Sequence, residues 1–125
     1  MRIGELAARA GVSVRSLRYY EEQGLLTSVR SAGGQRHYTE VHVERVSFLQ
    51  RMYTAGLSSR TIAELLPCVD SPSEETADAA LLRMAEERER LSEHIAELLH
   101  TRDALDGLMA TNRAYRERLN SPVTG

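Results

Sequence analysis

The chain has 125 residues, 42% of them hydrophobic, so it can bury one modest core, and its length predicts a single domain or a domain with an appendage. It contains no apolar run near the roughly eighteen residues of a membrane span and no apolar signal-peptide core, so we expect a cytoplasmic protein without membrane contact. The net charge of −2 hides an asymmetry: residues 1–66 hold nine Arg and six acids, whereas residues 67–125 hold seven Arg and twelve acids. A basic first half and an acidic second half indicate two roles in one chain.

The first two elements are predicted to be short helices. Apolar residues recur at helical spacing over residues 3–10, and Gly11 supplies the left-handed conformation that a tight turn between helices needs. Ser13 is placed to cap a second helix, from Val14 to about Gln23. Two short helices joined by a three-residue turn form a helix-turn-helix. Ala7 and Leu17 support it, because a small residue and an aliphatic residue at these separations permit close helix crossing.

A β-hairpin, or wing, is predicted next. Ser31-Ala32-Gly33-Gly34 is a turn sequence between the short runs 26–30 and 35–38. Thr39 can then cap a third helix that ends at Gly56, and Ser58 can cap a fourth helix that ends at Pro67.

One long helix is predicted for most of the second half. Residues 68–73 are expected to be a linker, in which Ser71-Pro72-Ser73-Glu74 offers a capping box with proline at the first helical position. The helix covers 74–119, and residues 120–125 are expected to be a flexible tail. At 1.5 Å per residue the helix would be about 70 Å long, so we expect it to project from the first domain, residues 1–67.

The long helix carries a heptad stripe, which is typical of a coiled coil. Its apolar members are predicted to form the seam of a homodimer: Leu81, Met84, Leu91, Ile95, Leu98, Leu105 and Met109. Arginines interrupt the stripe at Arg88, Arg102 and Arg116. An antiparallel pairing would set them against acids of a partner helix; the alternative is a single amphipathic helix that folds back on its own domain.

The basic helix-turn-helix, wing and dimerising helix together predict a device for binding double-stranded DNA. Arg15, near the start of the second helix, is predicted to read a base edge. The other residues predicted to contact DNA, mostly at phosphates, are Ser13, Arg18, Tyr19, Tyr20, Arg30, Arg36, His37 and Tyr38. One tyrosine of the adjacent pair is expected to pack into the core instead.

The run IGELAARAGVSVRSLRYYEEQGLL, continued by RSAGGQRHY and AGLSSRTIAELL, resembles the MerR family of bacterial transcription regulators. Two residues depart from the family pattern, both in the wing: Gln35 stands in place of the usual tyrosine and Ser28 in place of the usual proline. The resemblance implies a mainly α fold, with a winged helix-turn-helix domain and a long C-terminal helix that forms an antiparallel coiled-coil dimer. It also implies a near-palindromic promoter whose spacer is distorted for RNA polymerase.

The signal that such a regulator would detect is not apparent. The positions that align with metal-binding cysteines of metal-sensing relatives fall near Ala77 and Asn112, neither a ligand, so we expect no metal site and no cofactor. Cys68 is predicted to be a small buried residue, with a redox or thiol sensor as the alternative.

No convergent set of nucleophile, base and stabilising donors is present, so we do not expect an enzyme. A coiled-coil interaction protein, or an architectural DNA-binding protein without an inducer, is the other function considered. The target operator, the regulated genes, the effector and the choice between activation and repression are not apparent from the residues.

Overall fold

A computed structural model describes residues 1–121 of the chain. The elements follow the order predicted: α1 (Ile3–Ala10), α2 (Val14–Glu22), β1 (Val29–Arg30), β2 (Arg36–His37), α3 (Glu40–Thr54), α4 (Ser59–Asp70) and α5 (Glu74–Asn120). Two compact units are present, the first comprising Met1–Arg83 and the second starting at Met84, inside α5. Within residues 1–121, no helix is both long and apolar enough to cross a membrane.

The helix-turn-helix forms where the sequence predicts it. Gly11 follows α1 with φ of 70°, in the left-handed region, and its N–H donates to the carbonyl of Ala7. The Ser13 hydroxyl accepts the N–H of Ser16, 3.0 Å away, and so caps α2. Leu17 is fully buried and Ala7 nearly so, which confirms the predicted close crossing of the two helices.

The wing is shorter than predicted. Each strand has only two residues, paired antiparallel with Val29 opposite His37 and Arg30 opposite Arg36. The turn is closed by a backbone hydrogen bond of 2.9 Å from the N–H of Gly34 to the carbonyl of Ser31. The backbone of Tyr38, the residue after β2, pairs with Met1 instead of with the first strand: its N–H donates to the Met1 carbonyl at 2.8 Å, and its carbonyl accepts from the Met1 ammonium at 2.7 Å.

Helices α3 and α4 complete the first unit. The predicted caps are confirmed: Thr39 and His42 form a capping box on α3, and the Ser58 hydroxyl accepts the N–H of Thr61, 3.2 Å away, on α4. The predicted end of α4 at Pro67 is wrong, because the helix continues to Asp70. An ion pair between Asp70 and Arg45 of α3 supports this last turn and offsets the backbone hydrogen bond that proline cannot donate.

The linker is correspondingly shorter than expected. Residues 68–70 belong to α4, and α5 begins at Glu74. The cap is Ser73 rather than Ser71: the Ser73 hydroxyl accepts the N–H of Thr76 at 3.0 Å, and the Ser73 N–H donates to the Thr76 hydroxyl at 2.9 Å. Pro72 therefore precedes the helix. The functional division at this segment remains a prediction, and the predicted tail lies outside the described residues from residue 122 onward.

The core of the first unit lies between the helix-turn-helix and helices α3 and α4. Its fully or almost fully buried apolar side chains are Leu6, Leu17, Leu25, Leu26, Tyr38, Val46, Leu49, Ile62 and Leu65. Burial of each aliphatic side chain contributes about 1.5–3 kcal/mol. This core fixes the orientation of α2, and with it the side chains on the exposed face of that helix.

Candidate nucleic-acid interface

Helix α2 has one buried face and one cationic face. Leu17 and Tyr20 point into the core, with exposed fractions of 0% and 8%. Arg15 and Arg18 are exposed and three residues apart, so they lie on one side of the helix. Neither forms an ion pair with another residue of the described chain. Two guanidinium groups are thus held at the surface by a helix that the core orients.

The two adjacent tyrosines have different environments. Tyr20 stacks on Tyr53 of α3, with ring centroids 5.6 Å apart, and burial raises the pKa of its hydroxyl. The prediction that Tyr20 contacts DNA is therefore wrong, because its ring forms part of the core. Tyr19 is 45% exposed. Its hydroxyl lies 3.0 Å from that of Ser59, in the first turn of α4, and remains at the surface.

The wing carries three exposed basic side chains. The Arg30 guanidinium donates to the carbonyl of Gly34 at 2.9 Å and so braces the turn. Arg36 is half exposed and forms an ion pair with Glu21 of α2, with 3.2 Å between guanidinium nitrogen and carboxylate oxygen. His37 is exposed on β2. At the tip, Gln35 accepts a hydrogen bond of 2.7 Å from Arg2.

Tyr38 does not belong to the surface. Its side chain is 1% exposed, and its hydroxyl donates to the carboxylate of Glu21. Burial, and then the hydrogen bond and negative charge of Glu21, raise the pKa of Tyr38 to about 12. The predicted contact between Tyr38 and DNA is therefore wrong, because the residue joins the wing to the core and to α2.

Two residues near this surface are absent from the predicted contacts: Arg2 beside the wing tip and Ser59 at the start of α4. Arg2 and Ser59 meet residues 33 and 40 positions away. No local pattern reports such distant pairs. The position of Glu21 and Glu22 directly after the tyrosines predicts that they orient Arg18 or the wing arginines, and in the structure Glu21 pairs with Arg36.

The predicted seam residues all lie on α5 and are exposed in the single chain. Leu81, Leu91, Leu98 and Leu105 are 54–65% exposed, and Met84, Ile95 and Met109 are 41–49% exposed. Exposed apolar side chains in such number along one stripe, although arginines interrupt it, are characteristic of a surface that another protein segment covers.

Cys68 lies within α4, half-buried, rather than at the junction with a linker. It lines a pocket of about 280 Å³ with Glu64, Arg83 and small residues of α5. The Arg83 guanidinium donates to Glu64 at 2.7 Å, which lowers the pKa of that carboxylate. The half-buried Cys68 is therefore less buried than predicted, and a redox or thiol sensor remains a prediction. Within residues 1–121, no three His, Cys, Asp or Glu side chains are grouped to hold a metal ion.

This architecture, an exposed cationic helix of a helix-turn-helix beside a basic wing, is that of a DNA-binding protein. The model of the MerR HTH family regulatory protein matches residues 1–67, and the MerR DNA-binding model matches residues 43–108. The chain belongs to the MerR family of DNA-binding transcriptional regulators, as its sequence predicts.

Three similar proteins illustrate the relationship. The HTH-type transcriptional regulator CueR of Salmonella typhi is 32% identical over 106 residues, which are 84% of this chain and 76% of that protein. The crystal structure of a MerR family regulator from Listeria monocytogenes superposes with a TM-score of 0.65 at 26% identity, covering 95% of this chain and 93% of the other. HiNmlR, a MerR family regulator lacking the sensor domain and crystallised on promoter DNA, shares the fold with a TM-score of 0.59 at 24% identity, over 98% and 96% of the chains.

Proposed function

We propose that this regulator acts in the cytoplasm as a homodimer, that it grips double-stranded promoter DNA with α2 and the wing of each subunit, and that it acts by binding rather than by catalysis. The observation that carries the proposal is the pair Arg15 and Arg18, exposed side by side on a core-anchored helix next to a basic wing. This is the arrangement by which a recognition helix enters a major groove while a flanking element contacts the backbone.

The cationic residues divide into two roles. Arg15 lies in the first turn of α2, the end of a recognition helix that meets base edges, and its planar fork suits guanine. Arg18 lies one turn further on and suits a phosphate, as do Arg30 and His37 in the wing. The Ser13 cap leaves the positive end of the α2 dipole directed at the groove, which favours an anionic ligand.

The homodimer rests on the exposed stripe of α5. Seven apolar side chains, each at least 41% exposed, follow a heptad spacing along one side of the helix. A second copy of the chain carries the same stripe, and pairing of the two α5 helices covers both stripes. An antiparallel pairing sets Arg88, Arg102 and Arg116 near acids of the partner helix. Two recognition helices are then held at a fixed separation, which a near-palindromic operator matches.

Transcriptional control is proposed to follow from distortion of the promoter spacer, which would allow RNA polymerase to read both promoter elements. Bending and underwinding cost free energy that contacts elsewhere on the DNA must offset. The wing and α2 of two subunits supply those contacts at both ends of the site.

The test measures binding of purified protein to its operator and to random DNA by fluorescence anisotropy over a range of salt concentrations. Specific affinity is expected to fall steeply with salt, because bound arginines release phosphate counterions. Arg15→Ala is expected to weaken operator binding by at least about 30-fold and to leave random DNA nearly unaffected, because the homodimer loses two base contacts that each contribute about 1–3 kcal/mol of discrimination. Arg18→Ala is expected to weaken both by similar factors.

Arg90→Ala is the matched control, because it removes the same charge from α5, outside both α2 and the predicted seam. It is expected to leave both affinities nearly unchanged. Weak, salt-insensitive binding by the wild type would instead favour an interaction protein. If Arg15→Ala, like Arg18→Ala, weakened binding to operator and to random DNA by the same factor, the division of roles would be contradicted.

A further inference from the structure

The wing is too small to hold its own position. Its strands have two residues each and neither buries a side chain, and an isolated hairpin of this size is not stable in water. The wing must therefore be fixed at its base by residues outside it. Both ends of the base have such a partner.

The end before β1 is held by α3. The carbonyl of Thr27 lies 2.7 Å from Nε2 of His42, and the N–H of Thr39 donates to Nδ1 of the same ring at 2.9 Å. Because Nδ1 accepts a hydrogen bond, the proton of the neutral ring is on Nε2, which then donates to Thr27. This contact joins the wing to α3 and makes no direct contact with the recognition helix.

The end after β2 is held by α2. One carboxylate oxygen of Glu21 accepts the hydroxyl of buried Tyr38, and the other lies 3.2 Å from the guanidinium of Arg36. The Glu21 side chain is only 15% exposed and Tyr38 is buried, whereas the Arg36 guanidinium reaches solvent and is 53% exposed. Met1 also holds this end, because the Tyr38 N–H donates to the Met1 carbonyl at 2.8 Å and the Met1 ammonium donates to the Tyr38 carbonyl at 2.7 Å. Glu21 adds the contact that joins the wing to the recognition helix and orients the Arg36 guanidinium.

We propose that Glu21 is a positioning residue for DNA binding: it fixes the wing on α2, so that Arg36 reaches phosphate in a set orientation relative to Arg15 and Arg18. This inference rests on the proposed function. Its physical basis is preorganisation, because an arginine held in place before binding loses less conformational freedom when it meets DNA.

Electrostatic repulsion alone predicts the opposite change in DNA affinity when Glu21 is replaced. A carboxylate near DNA repels phosphate, so removal of its charge should strengthen binding if electrostatic repulsion is all that matters. Glu22 provides the matched control, because it is adjacent in sequence, equally charged and exposed. No side-chain hydrogen bond or ion pair joins Glu22 to another residue in the described part of the chain.

The experiment compares Glu21→Gln with Glu22→Gln in the full-length protein, on operator and on random DNA of equal length. Glu22→Gln is expected to bind both DNAs as tightly as wild type or slightly more tightly. Glu21→Gln is expected to bind operator about 3- to 10-fold more weakly, because a glutamine still accepts from Tyr38 but no longer holds the Arg36 guanidinium. Tighter binding by both variants would overturn the inference.

A second measurement requires no DNA. Amide ¹⁵N relaxation is expected to give lower backbone order parameters at Arg36 and His37 in Glu21→Gln than in wild type or Glu22→Gln. Unchanged order would overturn the inference whatever the affinities are. If wild type itself fails to bind operator, the proposed function fails, and the relaxation data still decide whether Glu21 fixes the wing.

A double-mutant cycle excludes a merely structural effect. If Glu21 acts through Arg36, Glu21→Gln is expected to have little further effect on operator affinity in an Arg36→Ala background. Full additivity of the two losses would contradict the proposal. Should Glu21→Gln fail to fold, Arg36→Ala alone carries the test, because loss of the ion pair from the wing side is also expected to lower the order of the wing amides.

Discussion

Replacement of Tyr38 by Phe removes one hydroxyl from the base of the wing and leaves the ring in place. The ring is buried and packs edge-on against His42, with centroids 5.3 Å apart, and phenylalanine preserves this contact. The lost interaction is a hydrogen bond to a carboxylate, a class that contributes about 1.5–3 kcal/mol. Glu21 keeps Arg36 and is 15% exposed, so water replaces part of the loss, and we expect a cost of about 2 kcal/mol.

The assay is urea denaturation followed by circular dichroism at one protein concentration, because association links stability to concentration. Tyr53→Phe is the control: its hydroxyl lies 2.5 Å from the neutral hydroxyl of Ser59. We expect this variant to lose about 0.5–1.5 kcal/mol, since a hydrogen bond between neutral groups contributes less. A loss for Tyr38→Phe that does not exceed the loss for Tyr53→Phe would refute the reasoning about the buried carboxylate.

Two other predictions concern pH and assembly. The pKa of Tyr38 is about 12 in the folded protein, above the ordinary tyrosine value of 10.0. The folded state therefore favours the protonated form of Tyr38, which adds at most about 2–3 kcal/mol to the free energy of unfolding. This contribution is fully present below pH 10 and is lost as the pH rises toward 12. Urea midpoints should fall less steeply over this interval in Tyr38→Phe than in wild type, and parallel curves would exclude the hydroxyl as the cause. In the predicted seam, Leu98→Asp is expected to raise the dimer dissociation constant at least about 100-fold in sedimentation, because it buries a charge among apolar side chains. Leu82→Asp, an exposed leucine outside the seam, should leave the dimer intact, and equal effects of both changes would argue against the heptad register.

Local chemistry was sufficient to predict most of the helix boundaries. Gly11 ends α1 because its backbone is left-handed, and Ser13 and Ser58 each accept a backbone N–H three residues on. These interactions depend on neighbours within four positions, so the residue types and their spacing determine them. The family resemblance rests on the same stretches, and the family models confirm it.

The wrong predictions concern residues whose structure is determined by partners distant in the sequence. Proline favours a helix end at Pro67, but the pairing of Asp70 with Arg45 of α3 favours one more turn. Adjacent tyrosines are equivalent as residue types, and only the position of Tyr53 selects Tyr20 for the core. Tyr38 follows exposed wing residues, yet the carboxylate of Glu21, 17 positions earlier, accepts its hydroxyl inside the protein.

The separation of the two faces of α2 also bears on protein engineering. Leu17, Tyr20 and Glu21 connect the helix to the rest of its unit, whereas Arg15 and Arg18 make no ion pair within the described chain. A library randomised at Arg15, with Arg18 kept for its proposed phosphate contact, would therefore explore new operators on an unaltered scaffold. A graft of the whole helix from a relative would also replace the acid that the wing of this protein needs, so chimeric regulators should keep Glu21 with its own wing.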